Sequence, residues 1–175
     1  AGFSGGRKGV CPALVDLVVD DRRAVLLKDI AVNLPDLTLN ERHLCDLELL
    51  ATGGFSPLGG FMTRADYEPV LDRMRLQDGS LWPLPICLDV SAITARRLEA
   101  GQSAALRDTE GLLLAVVHIE DIWPVDRERE AAQVYATCDP SHPGTEYLFN
   151  RTGDYYVGGK LEVVNLPQHF DFKKI

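Results

Sequence analysis

Two glycines at a phosphate-loop spacing form the first candidate site in this sequence. Gly54 and Gly59 lie within residues 51–62, ATGGFSPLGGFM, at the interval of a G-x-x-x-x-G loop. Such a loop binds phosphate through backbone N–H groups, while a lysine and a hydroxyl after the second glycine neutralise charge and hold magnesium. Gly60 and Phe61 occupy those two positions here. We therefore predict that this loop does not bind a nucleotide.

The same loop is rich in apolar side chains, which favours a structural role. A fully buried side chain of this size stabilises a fold by roughly 1.5–3 kcal/mol, and glycines allow tight backbone turns between such side chains. We expect the loop to clamp two helices onto a β-structure. Its candidate structural or interdomain residues are Phe55, Pro57, Leu58, Gly60, Phe61 and Met62.

A histidine between two carboxylates is a second candidate. His142 stands in CDPSHPGTE, near Asp139 and Glu146, a setting that suits a general base or a metal ligand. The other histidines are scattered and form no H-x-x-H or H-x-E ligand spacing. We therefore favour the interpretation that His142 anchors a proline-rich turn through hydrogen bonds.

The charged residues near position 45 indicate structure rather than catalysis. Arg42 and Asp46 stand at i and i+4 of a predicted helix, the spacing of a salt bridge. Asp46 and Glu48 point to different sides of that helix, so they cannot act as a paired acid and base. No G-x-S-x-G, Ser-His-Asp or Cys-His signature can be assembled. The sequence thus predicts no catalytic residue, cofactor or metal site in this chain.

The composition restricts the classes of partner. The 175 residues include 26 acidic and 18 basic side chains, which give a formal charge of -8, and 46% are hydrophobic. A field of this sign repels nucleic acid and offers no broad cationic face to a membrane. No apolar run approaches the roughly 20 residues of a membrane span. We expect a globular chain without a nucleic-acid or membrane partner.

The cysteines indicate a reducing compartment. Cys11, Cys45, Cys87 and Cys138 are far apart and form no C-x-x-C pair, so a zinc cage is not expected. Without a signal peptide, an acidic chain of this kind is typical of a cytoplasmic protein with reduced, mostly buried thiols.

Two amphipathic helices must position the glycine-rich loop. The first is predicted to start with a capping box of Thr38 and Glu41 and to end at Gly53, with an apolar face of Leu44, Leu47 and Ala51. The second is predicted to start with Thr63 and Asp66 and to carry Tyr67, Val70, Leu71 and Met74 on one face. The apolar segment 13–32 fits either a helix or short strands.

The later part of the chain favours β-structure. Strands are predicted in ICLDV, SAALRD, LLLAVVHIEDIW and YYVGGKLEVVN, with a turn at Thr109, Glu110 and Gly111. Short helices are predicted in SAITARRLEAG and DREREAAQVYAT, and a proline-punctuated loop in DPSHPGTEYL. Val-rich strands with short turns indicate a small barrel or a sandwich.

A long run of motifs resembles the ATP sulfurylase family. The order R-x-L-C-D-L-E-L, G-G-F-S-P-L-x-G-F-M, D-Y and M-R-L-x-D-G-x-L-W-P occurs between residues 42 and 83, and the similarity continues through GLLLAVVHIEDIWPVDREREAAQVYATCDPSHPGTEYL and YYVGGKLEVV. It covers most of the chain from about residue 10. His43 stands where glutamine is common in the family, and Gly59 where a larger or acidic residue is frequent.

The resemblance implies an α+β fold, a PUA-like mixed β-barrel with flanking helices, which forms the amino-terminal domain of the enzyme. It implies the PUA-like domain at 10–165 and the start of a linker to an absent catalytic domain at 166–175. The Gly/Ser-rich residues 1–9 are predicted to be a flexible terminus or a cloning remnant. The family keeps its ATP and sulfate residues in that second domain, in Q-x-R-N, H-x-x-H and G-R-D-H motifs. None of these motifs occurs here.

The resemblance also implies a role. The parent enzyme makes adenosine 5'-phosphosulfate and pyrophosphate from ATP and sulfate. We expect this chain alone to be inactive and to serve as a scaffold that contacts the catalytic domain or a second subunit of a homo-oligomer. The alternatives are an RNA-binding PUA-like module, which the negative charge disfavours, and a regulatory domain that binds a small effector.

Overall fold

The structure, a computed structural model, describes residues 16–139 and 141–167. The predictions for residues 1–9, for Cys11 and for the linker beyond residue 167 lie outside this part of the chain. Within it the fold is α+β, as expected, with helices packed against one mixed sheet.

Six helices are present in the described residues, in chain order: α1 (Asp21–Ala31), α2 (Glu41–Thr52), α3 (Arg64–Arg73), α4 (Ala92–Ala95), α5 (Arg127–Val134) and α6 (Pro143–Asn150). The strands are β1 (Asp36–Thr38), β2 (Gly60–Phe61), β3 (Leu88–Val90), β4 (Ser103–Arg107), β5 (Leu113–Pro124) and β6 (Tyr155–Val163).

The sheet has the order β1-β4-β5-β6-β2, and β3 also pairs with β6. β1 and β4 run parallel, and the other pairs are antiparallel. The predicted hairpin of β4 and β5 is confirmed, with Gly111 in the left-handed region at its turn. The long strand β6 pairs with β5 along one edge and with the short strands β2 and β3 along the other.

The expected barrel is not closed. Closure requires the last strand of the order to pair with the first, but among the described residues β1 pairs only with β4 and β2 only with β6. Both outer strands are too short to form a closing ladder, because β1 has three residues and β2 has two. Helices and loops cover the remaining surface of the sheet.

The first predicted capping box is wrong. Thr38 is the last residue of β1, where it pairs with Arg107, so it cannot cap α2. The box is formed two residues later: Asn40 Oδ1 accepts from His43 N at 2.9 Å, and His43 Nδ1 accepts from Asn40 N at 3.3 Å. α2 ends at Gly53, with φ of 88°, as predicted.

The helix predicted after Thr63 begins at Arg64, but its capping box does not form. Thr63 makes no capping bond through its side chain. Asp66 instead accepts from Gln77 N at 3.0 Å, while Asp121 of β5 accepts from Arg64 N at 3.1 Å. A carboxylate from the sheet therefore accepts a backbone N–H at the start of this helix.

Two further segments differ from their predictions. The ambiguous segment 13–32 contains helix α1, which starts where Asp20 Oδ1 accepts from Arg23 N. The segment DPSHPGTEYL, predicted as a loop, enters helix α6, with Pro143 in its first turn; proline is favoured there because this position lacks an intrahelical acceptor. The predicted short helix in SAITARRLEAG is α4, which Ser91 caps by accepting from Thr94 N.

The thiols are less buried than expected. Cys45 and Cys138 are exposed, Cys87 is half-buried, and all three are free. Cys45 lies on the outer side of α2, whereas Leu47, Leu50 and Ala51 face the core.

One apolar core lies between the sheet and the helices that cover it. Leu47 and Leu50 of α2 pack in the same cluster as Leu106 of β4, Val117 of β5 and Leu161 of β6. The apolar face of α2 and the buried runs of the three strands meet in this cluster, which fixes α2 and the loop that follows it on the sheet.

Glycines allow three backbones to come close together beside this core. A Cβ on Gly60 would overlap the carbonyl oxygen of Gly159, and a Cβ on Gly159 would overlap that of His118. Gly59, next in the chain, has nothing within 4 Å of its Cβ position. The close approach therefore depends on Gly60 and Gly159, and Gly59 has no such role.

We expect Gly60→Ala to lower the free energy of unfolding by about 1–3 kcal/mol or more, because the methyl group must separate β2 from β6. Gly59→Ala is the matched control and should change it by less than about 0.5 kcal/mol. Urea denaturation of both variants measures the difference. Equal effects at the two positions would contradict the close-approach account.

Candidate functional site

The loop of residues 53–62 places most of its predicted clamp residues in the core. Leu58, Phe61 and Met62 are buried, and Ile86 N donates to Met62 Sδ at 3.4 Å. Phe55 is half-buried, with its ring 5.9 Å from that of Trp82 in an edge contact. The apolar side chains of the loop thus join α2, β2 and the segment before β3.

The remaining two loop residues have different positions. Gly60 is buried in the ladder to β6, where its lack of a Cβ is required. Pro57 is exposed at the tip of the loop. Of the six predicted loop residues, Pro57 is therefore the one whose side chain the fold leaves at the surface.

The surroundings of the loop do not suit a phosphate. A cavity of about 430 Å³ beside it is lined by Pro57, Leu58, Gly59, Asp66, Leu76, Gln77 and Asp78. Its charged side chains are the two aspartates, and a nucleotide phosphate requires cationic partners or converging N–H groups. The loop also follows a helix, whereas a phosphate loop follows a strand. The loop therefore offers a phosphate neither the charge nor the preceding strand of a phosphate loop.

The other three predicted residues come together around two tyrosines. The guanidinium of Arg42 lies 4.6 Å from the ring centroid of Tyr147, a cation–π contact, and it also interacts with Tyr135. The ring of Tyr135 lies 5.2 Å from that of His142. Arg42 thereby connects α2 to the segment that joins α5 and α6.

His142 has the turn-anchoring geometry that the sequence favoured. It is the N-cap residue of α6, and its Nδ1 accepts from Gly144 N at 3.2 Å. This bond uses Nδ1 to hold the first turn of α6. Within the described residues, no three His, Cys, Asp or Glu side chains are placed to hold a metal ion.

Asp46 does not form the predicted direct ion pair with Arg42. In the described part of the chain, several pairs of opposite charge lie within 4 Å of each other, but Arg42 and Asp46 are not such a pair. Burial raises the pKa of Asp46 to about 6, because Arg42 and His43 stabilise its charge only in part and Asp89 opposes it. Asp46 is therefore a half-buried carboxylate whose charge is poorly compensated.

Sequence reasoning missed a buried pair beside it. His43 Nε2 lies 2.6 Å from Asp89 Oδ1, and Gly153 N donates to Asp89 Oδ2 at 2.7 Å. Because His43 Nδ1 accepts from Asn40 N, its Nε2 carries the proton that is donated to Asp89. Burial alone would raise the pKa of Asp89, but the bonds from His43 and Gly153 hold it below its usual value.

A second buried carboxylate was also missed. Glu130 of α5 is 5% exposed, and its Oε1 accepts from Tyr67 Oη at 2.6 Å and from Tyr156 Oη at 2.8 Å. Burial raises the pKa of Glu130, and the two hydroxyls offset only part of this effect. The adjacent cavity holds only about 20 Å³, so this cluster has no room for an organic substrate.

The sheet also brings together a serine, a histidine and a glutamate. Ser103 Oγ lies 2.8 Å from His118 Nδ1, and His118 Nε2 lies 2.8 Å from Glu162 Oε1. Arg23 of α1 donates to both oxygens of Glu162, at 2.6 and 2.8 Å. The bond from Arg23 lowers the pKa of Glu162 to about 2, with burial acting in the opposite direction.

This arrangement ties α1 to the sheet and differs from a nucleophile relay. In a relay the carboxylate must stabilise a developing imidazolium, but here Arg23 already neutralises Glu162. No sequence signal marked the cluster, because its members are distant in the chain and meet only through the pairing of β4, β5 and β6.

Comparisons with known proteins identify relatives of the whole described region. A family model for the PUA-like domain matches residues 7–166. The sulfate adenylyltransferase of Gibberella zeae is 49% identical over 145 residues, which are 81% of this chain and 25% of that protein. The sulfate adenylyltransferase of Coccidioides immitis is 45% identical over 163 residues, which are 91% of this chain and 28% of that protein.

A solved structure has the same fold. The hexameric APS kinase from Thiobacillus denitrificans superposes with a TM-score of 0.68 at 34% identity, over 91% of this chain and 27% of that chain. The chain thus spans about a quarter to a third of the length of the curated relatives that it matches. No helix in the described part of the chain is long and apolar enough to cross a membrane.

The clamp can be tested by truncating its rings. Phe61 is 2% exposed, so Phe61→Ala should lower the free energy of unfolding by about 3–5 kcal/mol. Phe55→Ala should lower it less, because that ring is only half-buried. Leu81→Ala, at a side chain that is 65% exposed, is the control. Chemical denaturation that shows no loss for Phe61→Ala would disprove a buried clamp.

The raised pKa of Asp46 predicts a pH dependence of stability. Between about pH 4 and pH 6 the folded chain holds this proton more strongly than the unfolded chain, so stability falls as pH rises through this window. Asp46→Asn removes the effect. The variant should be about 1–3 kcal/mol more stable than the native chain at pH 7.5, and the difference should shrink towards pH 4.

Denaturant titrations at several pH values measure this dependence. Asp29→Asn, at an exposed carboxylate of α1, controls for the removal of one surface charge. The account would be contradicted if Asp46→Asn raised the free energy of unfolding over that of the native chain by the same amount at pH 4 and at pH 7.5.

Proposed function

Because the chain belongs to the PUA-like domain family, we propose that it is the amino-terminal module of a sulfate adenylyltransferase. The parent enzyme would join ATP and sulfate into adenosine 5'-phosphosulfate and release pyrophosphate. One observation carries the proposal: the matches to sulfate adenylyltransferases cover 81–93% of this chain at 42–49% identity, but only 25–32% of those proteins. The chemistry would then belong to the remaining part of the parent.

We propose that the module itself is non-catalytic. Attack of sulfate on the α-phosphorus of ATP requires cationic groups that stabilise the phosphate charge. Six arginines of the described residues are already paired with carboxylates: Arg23 with Glu162, Arg64 with Glu68, Arg107 with Asp36, Arg127 with Asp154, Arg129 with Glu68 and Asp72, and Arg151 with Glu146. These pairs support a role for the arginines in holding the fold.

The module would act as a scaffold for its partners. We propose the catalytic domain of the same polypeptide as its first partner and a homo-oligomer as the complete assembly, which the hexameric state of the APS kinase neighbour supports. Residues 10–165 would form the module and residues 166–175 the start of the linker. The formal charge of -8 supports a protein without a nucleic-acid partner. The free thiols of Cys45, Cys87 and Cys138 support a cytoplasmic location.

The structural residues predicted from sequence would serve this scaffold in two ways. Leu58, Phe61 and Met62 would hold the loop in the core. Arg42 and His142 would hold α2 against α6 through the two tyrosines. Exposed Pro57 would remain available for a contact with another domain.

The proposal is tested by comparing the 175-residue chain with the full parent polypeptide. With ATP, Mg²⁺ and sulfate, the parent should release pyrophosphate, and the chain alone should release none above the background without enzyme. Omission of sulfate is the control for ATP hydrolysis. Sulfate-dependent release by the chain alone, or an inactive parent, would overturn the proposal.

A further inference from the structure

Helix α1 exposes large apolar side chains to solvent. Val25 is 59% exposed, Leu26 54%, Ile30 46%, and Val32, directly after the helix, 78%. Isolated apolar side chains at a surface are normal, but a group of them on one short helix marks an interaction site. The exposed side chains of Arg22 and Asp29 lie between those of Val25 and Leu26 around the helix axis, because successive residues are about 100° apart. This side of the helix therefore mixes apolar and polar groups, as protein interfaces do.

The exposure does not result from a loosely attached helix. Leu27 and Ala31 on the inner side of α1 are each 1% exposed, and Ala31 packs with Ala105 and Leu113 of the sheet. The two hydrogen bonds from Arg23 to Glu162 fix the first turn. Because these contacts hold the inner side, the helix cannot rotate to bury Leu26 and Ile30.

The carboxyl-terminal end of the described chain lies beside this helix. Val19 N donates to Val163 O at 2.9 Å, and Val163 N donates to Leu17 O at 3.0 Å. Asn165 N then donates to Leu114 O at 3.0 Å, next to the cluster that holds Ala31. Val18 and Leu166, on these two segments, are 40% and 41% exposed. In a longer chain, the residues after 167 would therefore start near the segment that leads into α1.

The loop of residues 53–62 offers less apolar surface to a partner. Leu58, Phe61 and Met62 are already buried, and Phe55 packs on Trp82. A docked domain gains free energy by removing exposed apolar area from water, and α1 provides more such area than the loop.

We propose that the outward side of α1, together with Val18 and Leu166, is the surface on which the remaining domain of the same polypeptide docks. This inference rests on the proposed function, because the occupant is the part of the sulfate adenylyltransferase that this chain lacks. The occupant should present apolar side chains to Val25, Leu26 and Ile30, and polar groups that match Arg22, Lys28 and Asp29.

The test uses the double variant Leu26→Glu/Ile30→Lys. The new side chains stand at i and i+4 in the favourable order for a helix ion pair, and the net charge does not change. The matched control is Leu81→Glu/Ile93→Lys, at two side chains that are 65% and 66% exposed outside α1. In the 175-residue chain, both variants should melt within about 2 °C of the native chain, because surface substitutions of this kind change stability little.

Hydrogen exchange in the full parent polypeptide gives the decisive comparison. The amides of α1 should exchange at least about tenfold more slowly in the native parent than in the 175-residue chain. Leu26→Glu/Ile30→Lys should abolish this added protection, and the control variant should keep it. Unchanged protection in the α1 variant would overturn the inference. The comparison of the two native proteins tests the inference without any variant. This test therefore remains available even if the double variant does not fold.

Two outcomes separate this inference from the proposed function. If the parent protects amides elsewhere on the module from exchange but does not protect those of α1, the inference is overturned. The proposal that the module is a docked scaffold would then still stand. A module that exchanges and melts identically alone and in the parent overturns both. Sedimentation of the 175-residue chain tests a second copy as the occupant: a dimer that Leu26→Glu/Ile30→Lys dissociates would overturn docking of the remaining domain.

Discussion

The close approach of three backbones at β6 is the constraint on which the fold depends. β6 pairs with β5 on one edge and with β2 and β3 on the other. At Gly158 and Gly159 a Cβ would overlap the carbonyl oxygens of Met62 and His118. Because β2 connects the glycine-rich loop to α3, the same approach sets where the loop and both of its helices lie. The loop resembles a ligand-binding element in sequence because tight backbone packing and phosphate binding both require glycine.

Buried charge is used here to join elements that are distant in sequence. Asp89 of β3 is held by His43 of α2 and by the amide of Gly153, so one carboxylate links a strand, a helix and the turn before β6. Glu130 links α5 to α3 and β6 through Tyr67 and Tyr156. A buried carboxylate is costly unless hydrogen bonds satisfy it, and such networks favour one packing of the elements over others. The shifted pKa values of Asp89 and Glu130 thus follow from the way these elements pack.

Local patterns predicted local structure well and distant contacts poorly. The periodicity of α2, its end at Gly53 and the β4–β5 hairpin follow from residues close in sequence, and the structure confirms them. Thr38 fits the capping pattern, but in the structure it is part of β1, where it pairs with β4. The pairs His43–Asp89 and His118–Glu162 join residues more than forty positions apart, and no spacing rule could find them. Of the candidate site residues, the buried loop residues followed from their apolar character, whereas the stacking of Arg42 on Tyr147 required the fold.

Residues 17–19 lie next to residues 163–165, and this affects how the module can be attached to a longer polypeptide. The two segments exchange backbone hydrogen bonds, so the first and last described residues lie close together. A longer chain can therefore attach this unit as a side lobe, without threading through it and without stretching it between two anchors. Two neighbouring chain ends do not by themselves set the orientation of such a lobe, which must then come from the surface that it presents.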